Sequence, residues 1–148
     1  MTRPQATTID RRSVGRRERV AARLVVVAAR LLAGRSPRLI QRILGRISRG
    51  ARPASYAEAS RARTLVTTTS WACAGPDGCL PRSVATCLLC RIRGCWPTWC
   101  VGVRVMPPFG AHAWVRAEDR DVDEPFPADY HRVLLTVPHS STTAGGAA

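Results

Sequence analysis

Apolar residues recur every three or four positions through the first part of the chain, which is the period of amphipathic helices. The pattern predicts one helix over residues 17–33 and a second that starts with Ser36 as its cap and Pro37 in its first turn. A third helix is predicted to follow Ser55, whose side chain and that of Glu58 fit a reciprocal capping box.

The pattern changes in the second part of the chain. Residues 70–78 contain glycine, proline and aspartate and predict a loop, and residues 79–93 predict a helix that Gly94 ends. Beyond this helix, polar and apolar side chains alternate with a period of two, which is typical of strands. The predicted strands cover residues 99–106, 112–117, 121–124 and 130–137. Helices beside an antiparallel sheet predict an α+β fold.

At 148 residues the chain is predicted to form one domain with a helical extension. We expect a disordered basic tail over residues 1–16, a basic helical segment over 17–67, an α+β core over 68–138 and a flexible tail over 139–148.

The positive charge is concentrated in the helical part. Of the 23 arginines, 16 lie in residues 1–63 beside three acids, so this part carries all of the net charge of +13. Such a segment attracts nucleic acid, anionic lipid or an acidic protein surface. The chain has no lysine, which indicates coding bias and weakens the charge as evidence for nucleic acid. Arg23 and Arg30 interrupt the apolar run at 20–33, which is too short to span a bilayer. We expect a cytoplasmic protein with free thiols.

Cys79 is the candidate nucleophile among six cysteines, because it stands where the fourth predicted helix begins. The free N–H groups and the dipole at a helix N-terminus stabilise a thiolate, and the same N–H groups stabilise an oxyanion. The other thiols have other expected roles. Cys87 lies on the apolar face of the helix, Cys95 and Cys100 flank tryptophans, and Cys73 in the loop stays open.

A zinc site is the main alternative for the cysteines. Cys87 and Cys90 have the spacing of half a zinc knuckle, but they lie within a predicted helix. The remaining cysteines do not form a second pair of that spacing. We therefore expect no metal.

His112 is the candidate base, since it lies on a predicted strand that follows a Pro-Pro-Phe-Gly bend and precedes an acidic hairpin. His131 and His139 are expected at the surface. The acid that orients the base is either Asp123 or Glu124, and strand register decides between them. A two-residue hairpin loop puts odd positions on the face of His112 and favours Asp123, whereas a bulge favours Glu124.

Several short motifs surround these candidate residues. They are Gly78-Cys79-Leu80-Pro81-Arg82-Ser83, Leu88-Leu89, Arg93-Gly94, Val101-Gly102-Val103, Pro108-Phe109, His112-Ala113-Trp114-Val115 and Glu124-Pro125. They resemble those of a known family, the leader peptidases (B2 proteins) of lasso peptide biosynthesis. The resemblance covers about residues 53–137 and is most specific in the motifs of Cys79 and His112.

The resemblance implies a transglutaminase-like, papain-related cysteine protease core that removes the leader of a precursor peptide. It assigns the nucleophile to Cys79 and the base to His112, while the acid, usually aspartate, is preferred at Asp123 with Glu124 as the alternative. We further expect the backbone N–H groups near Leu80 and Arg82 to hold the oxyanion. Phe109 and Trp114 either line the substrate groove or pack in the core.

The implied partners are the precursor peptide, a separate winged-helix-like recognition protein and an asparagine-synthetase-like cyclase. ATP is used by the cyclase, so no cofactor is expected on this chain. The basic helices either dock one of these partners or only cover the core. Two other functions remain as alternatives. A transglutaminase or acyltransferase would use the same triad, and a non-catalytic nucleic-acid-binding protein would use the basic residues 1–63. Peripheral membrane contact through the arginine-striped helix is a further alternative.

Overall fold

The structure is a computed structural model that describes residues 14–140 of the chain. It contains five α-helices and six strands, with a 3₁₀ turn at Pro76–Gly78. The helices are α1 (Arg16–Ala33), α2 (Pro37–Ile47), α3 (Tyr56–Thr69), α4 (Trp71–Ala74) and α5 (Cys79–Ile92). The strands are β1 (Arg52–Pro53), β2 (Cys95–Trp96), β3 (Thr98–Arg104), β4 (Ala111–Ala117), β5 (Arg120–Asp121) and β6 (His131–Val137). The predicted α+β class is confirmed.

The main sheet is antiparallel and has the strand order β5-β4-β3-β6, while β1 and β2 form a separate parallel pair. Strand β3 lies at the centre because it pairs with both β4 and β6. Its pairing with β6 shifts register between Val101 and Gly102. Gly102 lies opposite His112, and a Cβ at this glycine would overlap the carbonyl oxygen of Arg132. Glycine in a strand interior marks this kind of close approach.

Helix α5 is the central helix of the core. It packs against α1 and α3 on one side and against β4 on the other. The buried rings of Trp96 and Trp99 fill the space beside it, and the Trp99 indole N–H donates to Ser83 Oγ over 3.1 Å. The basic helices therefore belong to the same hydrophobic core as the strands.

The starts of the predicted helices are reproduced closely. Ser36 accepts the N–H of Leu39, and Ser55 and Glu58 form both bonds of the predicted capping box. Each bond satisfies a backbone N–H that has no partner inside the helix. Among the described residues, no helix has the length and apolar character needed to cross a bilayer.

Four details differ from the expectations. The return strand stops at Asp121, and residues 70–78 hold α4 and the 3₁₀ turn in place of an irregular loop. The expected boundary between residues 67 and 68 falls inside α3. His131 is half-buried against other rings and does not lie free at the surface.

Disordered and flexible tails were expected over residues 1–16 and 139–148. Within them the described residues are ordered, since Val14 is buried, α1 begins at Arg16 and Ser140 forms a bridge with Arg49. Residues 1–13 and 141–148 lie outside the described part of the chain.

Gly78 positions the start of α5. It is the N-cap of that helix, and a Cβ there would overlap the carbonyl oxygen of Ala72 and lie 3.0 Å from the carbonyl carbon of Cys73. The guanidinium of Arg82 donates to the Cys73 carbonyl over 3.0 Å and so binds α4 to the first turn of α5.

The variant Gly78→Ala should therefore destabilise the protein by about 1–3 kcal/mol, because backbone atoms have to move to admit the methyl group. The matched control is Gly45→Ala in α2, where an added Cβ meets nothing within 4 Å. Alanine there should raise the free energy of unfolding by up to about 1 kcal/mol. Urea unfolding followed by circular dichroism measures both, and equal effects would contradict the proposed contact.

Candidate active site

Cys79 and His112 meet at the junction of α5 and β4. Cys79 is the first residue of the helix, and His112 is the second residue of the strand. The thiol is hydrogen-bonded to the imidazole and also accepts the backbone N–H of Ala113. Both side chains are partly accessible to solvent. Two residues far apart in the sequence are thus brought into contact where the sequence predicted a nucleophile and a base.

The contact favours a charged pair. The hydrogen bond from His112 lowers the pKa of Cys79 against the opposing effect of burial, and the Ala113 N–H lowers it further. The same bond to Cys79, together with the bond to Glu124, raises the pKa of His112 from 6.5 to about 9. Both shifts favour transfer of the thiol proton to the imidazole, and the resulting thiolate is the reactive form of a cysteine nucleophile.

Glu124 is the acid that contacts His112. Its Oε2 lies 2.8 Å from the Nε2 of the imidazole, which leaves Nδ1 for the thiol. Arg63 Nη2 on α3 lies 3.6 Å from the other oxygen of Glu124, and the carboxylate is only 6% exposed. A buried carboxylate held from both sides fixes the ring orientation and stabilises the imidazolium.

The preference for Asp123 as the orienting acid is wrong on geometry. The hairpin loop has two residues as assumed, since Arg116 pairs with Asp121. However, the pairing ends there, and Asp123 adopts a φ of 50°, which turns the chain out of the strand and breaks the alternation of faces. The Asp123 carboxylate instead accepts hydrogen bonds from Ser60 and Tyr56 on α3, at 2.6 and 3.3 Å. These hydrogen bonds fix the loop at Asp123, so that the next residue, Glu124, lies against His112.

The first turn of α5 offers backbone N–H groups beside the thiol. In an α-helix that begins at Cys79 with Gly78 as its N-cap, the amide of Arg82 makes the first intrahelical bond, and Pro81 has no N–H. The amides of Cys79 and Leu80 are therefore the available donors. No side chain caps this helix. The oxyanion role expected near Leu80 and Arg82 stays a prediction, and it now rests on Leu80 and Cys79.

The two aromatic residues expected in the groove differ in accessibility. Phe109 lies in the loop before β4 and is 74% exposed, so it is available to a substrate. Trp114 is 2% exposed, and its indole N–H donates to Asp121 Oδ1 over 2.9 Å. Trp114 is therefore a packing residue beneath His112, which is the second of its two expected roles.

The other five cysteines are buried. Burial raises the pKa of Cys87 well above its usual value and that of Cys100 to about 11. Substrate cannot reach them, so Cys79 is the accessible thiol among the described residues. Within residues 14–140, no group of three or more histidine, cysteine, aspartate or glutamate side chains is arranged to hold a metal.

His131 is the site residue that the sequence reasoning missed. Its ring stacks on that of His112 at 4.7 Å between centroids, and both rings lie beside Trp114. The edge of Phe126 closes the cluster. Burial and the charge of His112 lower the pKa of His131, which favours the neutral form of its ring. Gly102 was the available signal in the sequence, since its missing side chain leaves room for the Arg132 carbonyl and the Trp114 ring.

Comparison with known proteins identifies the family. A family model described as the transglutaminase-like superfamily matches residues 10–136. The chain belongs to the transglutaminase-like superfamily. No curated protein and no solved structure matches this chain significantly. The superfamily includes cysteine peptidases and acyltransferases, so the arrangement of Cys79, His112 and Glu124 lies in a domain suited to thiol chemistry.

Glu124→Gln should weaken the charged pair of this transglutaminase-like domain. Loss of the carboxylate charge lowers the pKa of His112 and thereby raises that of Cys79, so alkylation by iodoacetamide near pH 6 should slow about tenfold, the equivalent of one pKa unit. The control Asp123→Asn keeps an acceptor for Ser60 and should leave the pH profile unchanged. A larger shift in Asp123→Asn than in Glu124→Gln would contradict this assignment.

His131→Ala should slow alkylation of Cys79 about tenfold at neutral pH, because the ring of His112 loses the surface that holds it in place. His131→Phe keeps an aromatic ring in contact and should retain the rate within about threefold. If phenylalanine were as slow as alanine, the imidazole of His131 would have a chemical role that packing does not explain.

Proposed function

We propose that this protein is a cysteine peptidase that cleaves the leader from a ribosomally made lasso peptide precursor. The observation that supports the chemistry is the contact of the Cys79 thiol with the His112 imidazole, whose other ring nitrogen contacts Glu124. The substrate class rests on the resemblance of the Gly78–Ser83 and His112–Val115 motifs to the family of leader peptidases.

The proposed reaction has two steps. The Cys79 thiolate attacks the carbonyl carbon at the leader–core junction, and the amides of Cys79 and Leu80 stabilise the oxyanion. The imidazolium of His112 then gives its proton to the departing amine of the core, which leaves the leader as a thioester on Cys79. In the second step, neutral His112 accepts a proton from water, and the resulting hydroxide releases the leader as a free acid. Glu124 holds the ring in one orientation throughout.

The partners follow from the proposed pathway. A separate recognition protein delivers the leader, and the freed amino terminus of the core passes to an ATP-dependent cyclase. No cofactor takes part in the proposed cleavage, since the thiol, the imidazole and water supply all its atoms. The exposure of Phe109, three residues before His112, supports the proposal that its side chain contacts the peptide.

The test uses the purified protein with a lasso precursor and its recognition protein, followed by mass spectrometry. Wild type should release a leader with a free carboxylate and an intact core. Cys79→Ala should reduce the rate by at least about 10³-fold, because nothing replaces the nucleophile. The control Cys73→Ala removes the buried thiol of α4, which the sequence alone did not exclude as the nucleophile. This variant should retain activity within a few-fold.

Three outcomes would contradict parts of the proposal. Cleavage that survives in Cys79→Ala would remove this residue from the mechanism. A leader joined to an amine in place of a free acid would indicate an acyltransferase. An intact precursor, together with rapid His112-dependent alkylation of Cys79, would leave the thiol chemistry standing and exclude the lasso substrate.

A further inference from the structure

Helix α1 has apolar side chains on two opposite faces. The inner face packs on α5 and α3 through Ala22, Val25, Val26 and Ala29, all of them buried. The outer face carries four large side chains with no cover from the described residues. We call them the outer seam: Val20 is 54% exposed, Leu24 65%, Val27 58% and Leu31 73%. One exposed aliphatic residue is ordinary, but four in a row on one face of a helix require an explanation.

The spacing of the outer seam is that of a coiled coil. The four positions are separated by four, three and four residues, which are the a and d positions of successive heptads. With this register Arg16, Arg23 and Arg30 all occupy g positions, and all three are exposed. The e positions on the other edge hold Ala21 and Ala28. In coiled coils, charges at e and g select the partner and its orientation.

The chain itself does not provide a suitable cover. Residues 1–13 and 141–148 contain only Met1 and Ile9 as large aliphatic side chains. A second copy in antiparallel orientation would place the row of g arginines against the same row. A parallel copy would place the arginines against the alanines at e, without any charge pairing. A partner that bears carboxylates along one edge of its own apolar seam satisfies both the apolar and the charged parts of this surface.

We propose that the outer seam of α1 docks an acidic amphipathic helix of a partner protein. Leucine-like side chains of the partner fill the spaces between Val20, Leu24, Val27 and Leu31, and its carboxylates pair with Arg16, Arg23 and Arg30. The inference is independent of the peptidase proposal, because it concerns the face of α1 that points away from the helix bearing Cys79.

A membrane surface suits this face less well than a helix does. At 100° per residue the four apolar side chains occupy only about 60° of the circumference of α1, whereas interfacial helices bury a broad apolar face. The outer seam also lacks tryptophan and phenylalanine, which are typical of membrane-binding helices. The narrow width fits the a/d contact between two helices.

The test uses the full-length protein and a synthetic helix of about four heptads with leucine at a and d and glutamate at e and g. A second peptide carries lysine in place of glutamate. Binding is measured by fluorescence anisotropy of the labelled peptides. The glutamate peptide should bind the wild type at least about tenfold more tightly than the lysine peptide, since only the former pairs with the arginines.

Two double variants separate the apolar and charged contributions. Leu24→Gln with Val27→Gln keeps every arginine and should weaken binding of the glutamate peptide by about 30-fold, because two central contacts are lost. Arg23→Glu with Arg30→Glu should reverse the preference in favour of the lysine peptide. The matched control is Leu134→Gln on β6, where the side chain is 60% exposed, and it should bind like the wild type. Unchanged alkylation of Cys79 verifies that each variant is folded.

Three results would overturn the proposal. One is failure of the glutamate peptide to bind the wild type. Another is equal binding by the glutamine double variant, which would show attraction by charge alone. The third is binding to vesicles of phosphatidylcholine and phosphatidylglycerol that requires Leu24 and Val27, without binding of the peptide. This last result would assign the outer seam to an anionic membrane.

Discussion

The contact between the Cys79 thiol and the His112 imidazole is the interaction on which the proposed chemistry depends. This contact requires the N-terminus of α5 to lie beside the beginning of β4, and the packing of the core holds the two elements together. Helix α5 is held between α1 and α3 on one side and β4 on the other. The close approach at Gly78 and the Arg82 clamp fix the start of the helix, so the thiol has little freedom to move away from the imidazole.

The basic part of the chain contributes directly to the site through α3. Arg63 contacts the far oxygen of Glu124, while Tyr56 and Ser60 hold Asp123. Helix α3 is anchored in turn, since Glu18 on α1 pairs with Arg61 and with Arg93 at the end of α5. Helices α1 and α3 therefore help to hold the candidate site, and they share one hydrophobic core with the sheet.

Local signals in the sequence were sufficient for most of the fold. The capping box at Ser55, the proline after Ser36 and the glycines that end helices act within a few residues, so their positions were predicted correctly. Cys79 and His112 were identified by similarly local motifs. Asp123 was preferred over Glu124 because side chains alternate between the two faces of an extended strand. That alternation ends at Asp123, which has a φ of 50°. His131 was missed because its stacking on His112 depends on a register shift between β3 and β6, which no local pattern encodes.

The distribution of the cysteines has a consequence for how the protein responds to oxidants. Five thiols are buried, whereas Cys79 is partly accessible and its pKa is lowered by His112. Peroxide reacts with accessible thiolates far faster than with buried neutral thiols and converts them first to sulfenic acid. Mild oxidation will therefore abolish the reactivity of the Cys79 thiol while the fold stays intact. A reducing agent that restores the thiol will restore its reactivity. Because the other five thiols are buried, the Cys79 sulfur is the thiol sulfur most accessible to an oxidant.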